Sequence, residues 1–346
     1  KEGLAAAGGK TVYLLTSTIL SPTTKDIISR FIAKYPSVKH VTYDAISYSG
    51  MLLANEESYG KRALPSYHFD HAQTIFSLDA DFLGTWLSPI EFSAQYSKGR
   101  KVSAKNPVMS RHFQVETVHT ISGASADFRA TCKPSEVGAV AVALYNAIVN
   151  GAKPSFSSET LNTLIVRAAK ELKETRGLVV CGSNDKNVQV VINAINDAIG
   201  AVGMTINWAV TSNYRQGIDS DMAAVVEDMN AGNVAAVLMY DVNPAYDYWD
   251  AEKFVSGLAK TGMSISFADR FDETATLCNF VVPAHHWLES WGDAEPKSGY
   301  YSLMQPAIAP LFKTRAFQDS LLVWAEAGTT YMDYWQQYWV NKLGGQ

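Results

Sequence analysis

Cysteine is scarce in this chain: three among 346 residues, Cys132, Cys181 and Cys278, far apart in sequence. They form no CxxC pair and are too few for a four-cysteine iron–sulfur cluster within the chain. Cys181 lies in a strand-like run and reads as a small buried apolar residue. A disulfide between distant cysteines stays open, and with it the redox compartment. Charge is sparse too, at 18% of residues with a formal net charge of -5 and no lysine or arginine run. That argues against nucleic acid as a partner, because such proteins usually carry a basic stripe. No apolar run approaches the length needed to span a bilayer. There is no P-loop, and the glycine-containing stretch Gly3–Gly9 precedes the first strand instead of following it, so it is no dinucleotide fingerprint. The chain starts at Lys1, without methionine or signal peptide, and reads as processed or partial.

What is present is a folded α/β pattern. Hydrophobic residues make up 47% of a chain longer than a single core usually serves, so two domains are expected. Val12–Thr16, Val38–Tyr43, Thr74–Leu78 and Phe113–His119 read as strands. Helices are expected from near Thr23, over Ile90–Tyr96, and from Pro134 through the face Val137, Val140, Ala141, Leu144 and Ile148. The polar segment from Gly151 to Ser158 reads as a linker, after which the pattern restarts. Leu161–Leu172 is helical and Leu178–Cys181 is a strand. A strongly periodic helix follows, with Ser183 as its cap and Val188, Val191, Ile192, Ile195 and Ile199 on its face. Met222–Met229 reads as helix, and Val234–Tyr240, Ser264–Phe267 and Phe280–Val282 as strands. This predicts two Rossmann-like open-sheet α/β domains, 1–150 and 155–330, with an aromatic C-terminal extension over 331–346.

Three strand ends are candidate ligand sites, because open parallel sheets bind ligands beyond their carboxyl ends. They are Cys181-Gly182-Ser183-Asn184-Asp185, Tyr240-Asp241-Val242-Asn243-Pro244 and Ala268-Asp269-Arg270. Ordinary strand-to-helix turns have the same composition. His285 and His286, with Glu289 nearby, and His68 and His71, with Asp70 and Asp79, are the two histidine clusters. Metal ligation and satisfied loop hydrogen bonding compete at both. Adjacent histidines in a strand point to opposite faces, so His285 and His286 make no chelating pair by themselves. No serine sits on a nucleophile elbow. Tyr331, Tyr334, Trp335, Tyr338 and Trp339 recur at helical spacing, which fits a terminal helix docked on its own domain or on a neighbour in a large assembly.

Taken in order, several segments resemble the molybdopterin oxidoreductase family. They are Phe69-Asp70, Ser77–Leu83, Met109–His112, Gly123–Asp127, Lys133–Glu136, Tyr240–Pro244, Ala268–Ala275, Phe280–Ala284, Leu288-Glu289, Gly292 and Gln305-Pro306. Within it, the likeness runs toward the large iron–sulfur subunit of alternative complex III. The resemblance implies a molybdopterin oxidoreductase-type fold that holds no molybdenum cofactor, with iron–sulfur clusters in a further region of the same subunit. It also implies partners in a quinol-oxidising respiratory complex, including a multihaem cytochrome c and quinol-site membrane subunits, on the periplasmic side of a bacterial cytoplasmic membrane. The chain departs from working members at Cys278-Asn279, where they commonly carry an aspartate, and it lacks a recognisable metal-ligand motif around Cys132 or Cys278. The expected role is structural and docking, with no catalytic, cofactor-binding or metal residue. The alternative is a fragment of a catalytic molybdenum or tungsten bis-pterin oxidoreductase. Asp79, Asp81, Asn243, Asp269 and Glu273 would then contact the guanine, ribose or phosphate parts of the cofactor. An unrelated soluble nucleotide-binding enzyme is a third reading.

Overall fold

The computed structural model describes residues 9–104 and 107–344, so Gly3–Gly8 of the early glycine stretch lie outside the described residues. The chain forms two compact units, Lys1–Tyr48 with Asn213–Gln346, and Ser49–Ser212. The first unit opens with β1 (Thr11–Thr16), α1 (Pro22–Lys34) and β2 (Val38–Thr42). The second unit then begins with α2 (Ser49–Tyr59), β3 (Leu64–Tyr67), β4 (Thr74–Leu78), α3 (Pro89–Arg100), β5 (Arg111–Glu116), α4 (Ile121–Ala124) and β6 (Phe128–Thr131). It ends with α5 (Val137–Asn150), α6 (Glu159–Glu174), β7 (Gly177–Cys181), α7 (Lys186–Ala198) and β8 (Ile206–Ser212). The chain re-enters the first unit with α8 (Asp219–Asn230), β9 (Val234–Tyr240), α9 (Pro244–Asp247), α10 (Ala251–Leu258), β10 (Met263–Ser266) and β11 (Phe280–Val281). The hairpin β12 (Gly292–Lys297) and β13 (Tyr300–Met304), then α11 (Phe317–Trp324) and α12 (Tyr331–Leu343), complete it.

In the first unit a parallel sheet runs β11-β10-β9-β1-β2. Alternation along β1 feeds two separate layers, as a period of two requires. Val12 and Leu14 pack with Ile27, Ile28 and Phe31 of α1 and Phe317 and Leu321 of α11. Tyr13 and Leu15 pack with Met222, Val225, Val226 and Met229 of α8 and Phe254 of α10. A strand covered on both faces has no polar side to show, hence its unbroken apolar run. In the second unit a parallel sheet runs β6-β5-β4-β7, with Phe76, Leu78, Phe113, Val115 and Val179 packed against α5, α6 and α7. β3 and β8 form an antiparallel pair in this unit. The expected α/β class with open parallel sheets is therefore observed.

The units divide the chain differently from the expected 1–150 and 155–330. The segment from Gly151 to Ser158 joins α5 to α6, and both helices pack on one core. β7 pairs with β4 across that segment, which ties its two sides into one sheet. Its linker-like composition has a local cause: Gly151 is the left-handed C-cap of α5, at φ 66°. Two caps also differ by a residue or two from expectation. Ser21 accepts from the Thr24 N–H to start α1, with Pro22 next to it. Asp185, not Ser183, caps α7 by accepting from Asn187 and Val188.

The residues 331–346, expected as an extension, are largely the helix α12, which is part of the first unit's core. Tyr331, Tyr334 and Trp339 are buried. Tyr331 OH lies 3.1 Å from Thr23 Oγ1, Tyr334 OH donates to Asp26, and the Trp335 and Trp339 indoles donate to Gly292 O and Asp293 Oδ2. The aromatic stripe is thus docked at home.

Candidate functional site

A doubly wound sheet opens a crevice where neighbouring strands lead the chain in opposite directions. In the first unit this point lies between β1, which leads to β2, and β9, which leads to β10. Here the loops meet through their own side chains. Ser17 Oγ donates to Asp241 Oδ2 at 2.7 Å, and Thr18 donates from N and Oγ1 to Asp44 at 3.1 and 2.6 Å. The Gly217 N–H adds a bond to Asp44 Oδ2 at 2.8 Å, and the Gln216 N–H donates to Thr18 Oγ1 at 2.7 Å. The remaining cavity holds about 400 Å³, with Asp44, Asp241, Asp247 and Arg215 among its lining residues.

Three carboxylates against one guanidinium give this cavity an acidic lining. Arg215 donates from Nη1 to Ile46 O at 2.9 Å and stacks 4.9 Å from the Tyr214 ring, so it is already engaged. Burial pushes the Asp247 carboxyl up, and Tyr43 OH donates to it at 2.9 Å. Asp241 sits at φ 57°, a left-handed conformation that aspartate tolerates better than most residues.

The second unit's equivalent point lies between β4, which leads to β5, and β7. It is shut more tightly. The Gly182 N–H donates to Leu78 O at 2.9 Å, and a Cβ on Gly182 would lie 2.0 Å from Asp79 O. The glycine is needed for the approach of protein to protein, where a phosphate-binding turn needs it for the approach of a ligand. Asp79, at φ 53°, accepts from Thr117 N and Oγ1, both at 2.9 Å. Asp81 accepts from Ser122 N and Oγ at 3.0 and 2.8 Å. Both carboxylates therefore brace the loops after β4 and β5.

Of the other predicted contacts, Asn243 and Glu273 come together within the first unit. Asn243 Nδ2 donates to Glu273 Oε2 at 2.7 Å, while Asn243 Oδ1 accepts from Thr274 N and Oγ1 at 3.0 and 2.7 Å. That amide holds the Glu273 carboxyl below its usual range. Asp269 is paired with its neighbour Arg270 at 2.9 Å on the surface. Asp44 and Asp247 were missed by reasoning from sequence, although Asp44 directly follows the β2 run and was findable as a strand-end carboxylate.

The Cys278-Asn279 departure has a clear role at the strand edge. Asn279 Oδ1 accepts from Ser264 N and Oγ at 2.8 and 3.0 Å, and its N–H returns a bond to Ser264 Oγ at 3.0 Å. The residue fastens the β11 segment to β10. All three cysteines are free thiols. Burial pushes Cys132 and Cys278 up to about 11 and Cys181 up to about 12, which disfavours the thiolate that ligates metal.

His285 and His286 do not converge on a metal-binding geometry. His285 Nδ1 lies 2.5 Å from Thr314 Oγ1, and His286 Nδ1 accepts from the Leu288 N–H at 3.3 Å. Glu289 is occupied by the N–H groups of Leu311 and His286 at 3.0 and 3.2 Å. A cavity of about 520 Å³ beside them is lined by His285, Glu289, Trp291, Asp319 and the backbone of 306–310, and again offers acidic groups.

The fold is an α/β fold of the molybdopterin oxidoreductase type, with open parallel sheets and crevices at strand ends. No family model matches the chain. It is 34% identical over 104 residues to the menaquinone reductase, molybdopterin-binding-like subunit of Nitratidesulfovibrio vulgaris, which covers 29% of this chain and 15% of that protein. Among solved structures, acetylene hydratase from Pelobacter acetylenicus superposes with a TM-score of 0.69 at 12% identity, covering 96% of this chain and 61% of the other. The formyltransferase/hydrolase complex of Methylorubrum extorquens gives a TM-score of 0.59 at 12% identity, covering 94% of both chains. The sequence likeness is thus to a molybdopterin-binding-like subunit over a stretch that is 15% of its length, and the structural likeness is one of fold.

A pyrophosphate-bearing pterin does not fit the groups at these strand ends. Its phosphates call for backbone N–H nests and free cations. The first unit offers carboxylates there, and the second offers a glycine turn already filled by Asp79.

Proposed function

We propose that the chain is the cofactor-free, structural part of a subunit in a membrane-associated, quinol-oxidising electron-transfer complex of the alternative complex III type. It docks neighbouring subunits and positions the iron–sulfur region of its own subunit, on the periplasmic side of a bacterial cytoplasmic membrane. A multihaem cytochrome c and quinol-site membrane subunits are the proposed partners. The single observation carrying this reading is that the loops of each crevice are tied together by the protein's own side chains, and the cavity left in the first unit has an acidic lining. Similarity to a menaquinone reductase subunit that is itself called molybdopterin-binding-like is consistent with it. Among the described residues no helix is long and apolar enough to cross a membrane.

Elemental analysis of the natively purified complex tests the reading. The expected result is iron from the clusters with molybdenum and tungsten at background. Stoichiometric molybdenum or tungsten on this polypeptide would overturn it. In that case Asp79, Asp81, Asn243, Asp269 and Glu273 become the positions to vary.

A further inference from the structure

We infer that His68, Asp70 and His71 form a binding site for a borderline divalent transition-metal ion, best suited to zinc. These residues occupy the turn between β3 and β4, at the amino end of β4 and therefore at the opposite edge of that sheet from Asp79. One ligand atom from each lies within 4.8 Å of the others. The two imidazole rings stack at 4.8 Å between centroids with planes 17° apart.

The turn is held rigidly by what lies between the ligands. Phe69 is wholly buried and stacks on Phe82 at 4.4 Å, and its N–H donates to the buried Gln95 Oε1 at 2.9 Å. The His68 N–H donates to Thr205 O at 2.8 Å, and the His71 N–H to His68 O at 3.1 Å. The three side chains therefore leave a fixed backbone, and less ordering cost falls on binding.

Two further observations point to a cation. His71 Nδ1 lies 3.2 Å from Met204 O. A carbonyl only accepts, so Nδ1 carries the proton and Nε2 presents its lone pair, the usual support for a metal-ligating histidine. Asp70 Oδ1 is buried with no hydrogen-bond partner among the described residues. Such an oxygen is costly in an apolar setting, and a bound cation removes that cost. Asp70 Oδ2 pairs with Lys98 Nζ at 3.2 Å, and that lysine is 68% exposed and readily displaced.

Two imidazoles and a carboxylate select zinc, copper or nickel over magnesium and calcium, which prefer all-oxygen shells. Bond lengths of about 2.0–2.1 Å require ligand atoms about 3.3 Å apart, closer than the 4.8 Å here, so binding draws the three side chains together. Three protein ligands leave a coordination position for water.

Titration of the intact chain with cobalt(II), followed by zinc competition, tests the site. Saturable binding with visible d–d absorption is expected, displaced by zinc at one equivalent. His71→Ala and His68→Ala are expected to weaken zinc by more than about tenfold, the scale set by losing even an outer-shell partner. Lys98→Met frees Asp70 and is expected to tighten binding. His71 is exposed, so an unchanged melting temperature in His71→Ala certifies its fold. Absence of saturable cobalt or zinc binding, or equal affinity in a folded His71→Ala, overturns the site. The outcome is independent of molybdenum or tungsten content.

Discussion

His40 and His112 are histidines that this fold shields from protonation. Burial holds both near 4, against 6.5 for an ordinary imidazole. His112 is wholly buried on β5, with Tyr96 OH 3.2 Å from Nδ1 and Gln114 Oε1 3.0 Å from Nε2. Arg100, Asp127 and Glu116 are the charged groups acting on it, and their effects partly cancel. Both histidines are neutral in the folded chain and charge on unfolding, so the unfolded state binds more protons between pH 4 and 6.5. Stability present above the unfolded value is therefore lost as pH falls toward the folded one. At about pH 5 each histidine removes about 2 kcal/mol. Thermal melts of the intact chain from about pH 7.5 to about 5 are expected to show a falling midpoint, and His112→Gln a shallower fall. An identical slope in His112→Gln would assign the acid sensitivity elsewhere.

Asn279 gives a second test at the same scale. Its side-chain oxygen accepts two bonds from Ser264. Asn279→Asp keeps an acceptor at that place and is expected to change stability by less than about 0.5 kcal/mol. Asn279→Ala strands the Ser264 donors and is expected to cost about 1–2 kcal/mol. Denaturant midpoints of the two variants compare these values, and equal losses would remove the strand-fastening role.

At the scale of elements, α12 contributes to the first unit out of proportion to its length. Trp339 is 4% exposed and its indole donates to Asp293 Oδ2 at 2.6 Å, while Ser21 at the start of α1 bonds the other carboxylate oxygen. Trp339→Ala is expected to cost about 3–5 kcal/mol by cavity formation and by stranding a buried carboxylate. Trp339→Phe retains most of the packing and is expected to lose about half as much. Urea unfolding followed by near-ultraviolet circular dichroism measures both, and a loss below about 1 kcal/mol for Trp339→Ala would contradict the docked position.

Elements with long periodic faces were legible in the sequence. β4 and β9 match the expected ranges Thr74–Leu78 and Val234–Tyr240, and α6 and α7 lie within a few residues of theirs. Among the elements that went unread, three have signals that are weak locally. β3 is Leu-Pro-Ser-Tyr, with proline beside a register shift, and β6 is only Phe128–Thr131. α2 carries glycine near its start and buries Met51, Leu52 and Asn55 with little periodic contrast. The candidate site was legible in outline, since Asp79, Asp81 and Asn243 do stand at strand ends. The hydrogen bonds that occupy them come from Thr117, Ser122 and Thr274, and no local spacing announces those partners.

At the scale of the whole molecule, the interleaving of the units also escaped sequence reading. A chain that leaves one sheet and returns after an entire second unit is indistinguishable, by periodicity, from two domains in succession. Surface coverage is equally invisible to periodicity, and here it bears on function. Tyr246, Trp249, Phe271 and Phe312 are exposed by 73%, 85%, 76% and 79% on the first unit, while Tyr331, Tyr334 and Trp339 of α12 are buried. Large aromatics that serve no core are the residues that anchor protein interfaces, where a few carry most of the binding energy. If the chain docks subunits, Trp249→Ser combined with Phe271→Ser is expected to lower recovery of neighbouring subunits with the natively assembled complex by at least about tenfold, the loss of roughly 1.4 kcal/mol. The same double variant, purified alone, is expected to keep its stability within about 0.5 kcal/mol, because neither side chain supports the fold. Unchanged recovery would remove Trp249 and Phe271 from the docking surface. A large drop in stability would instead show that they pack within the chain.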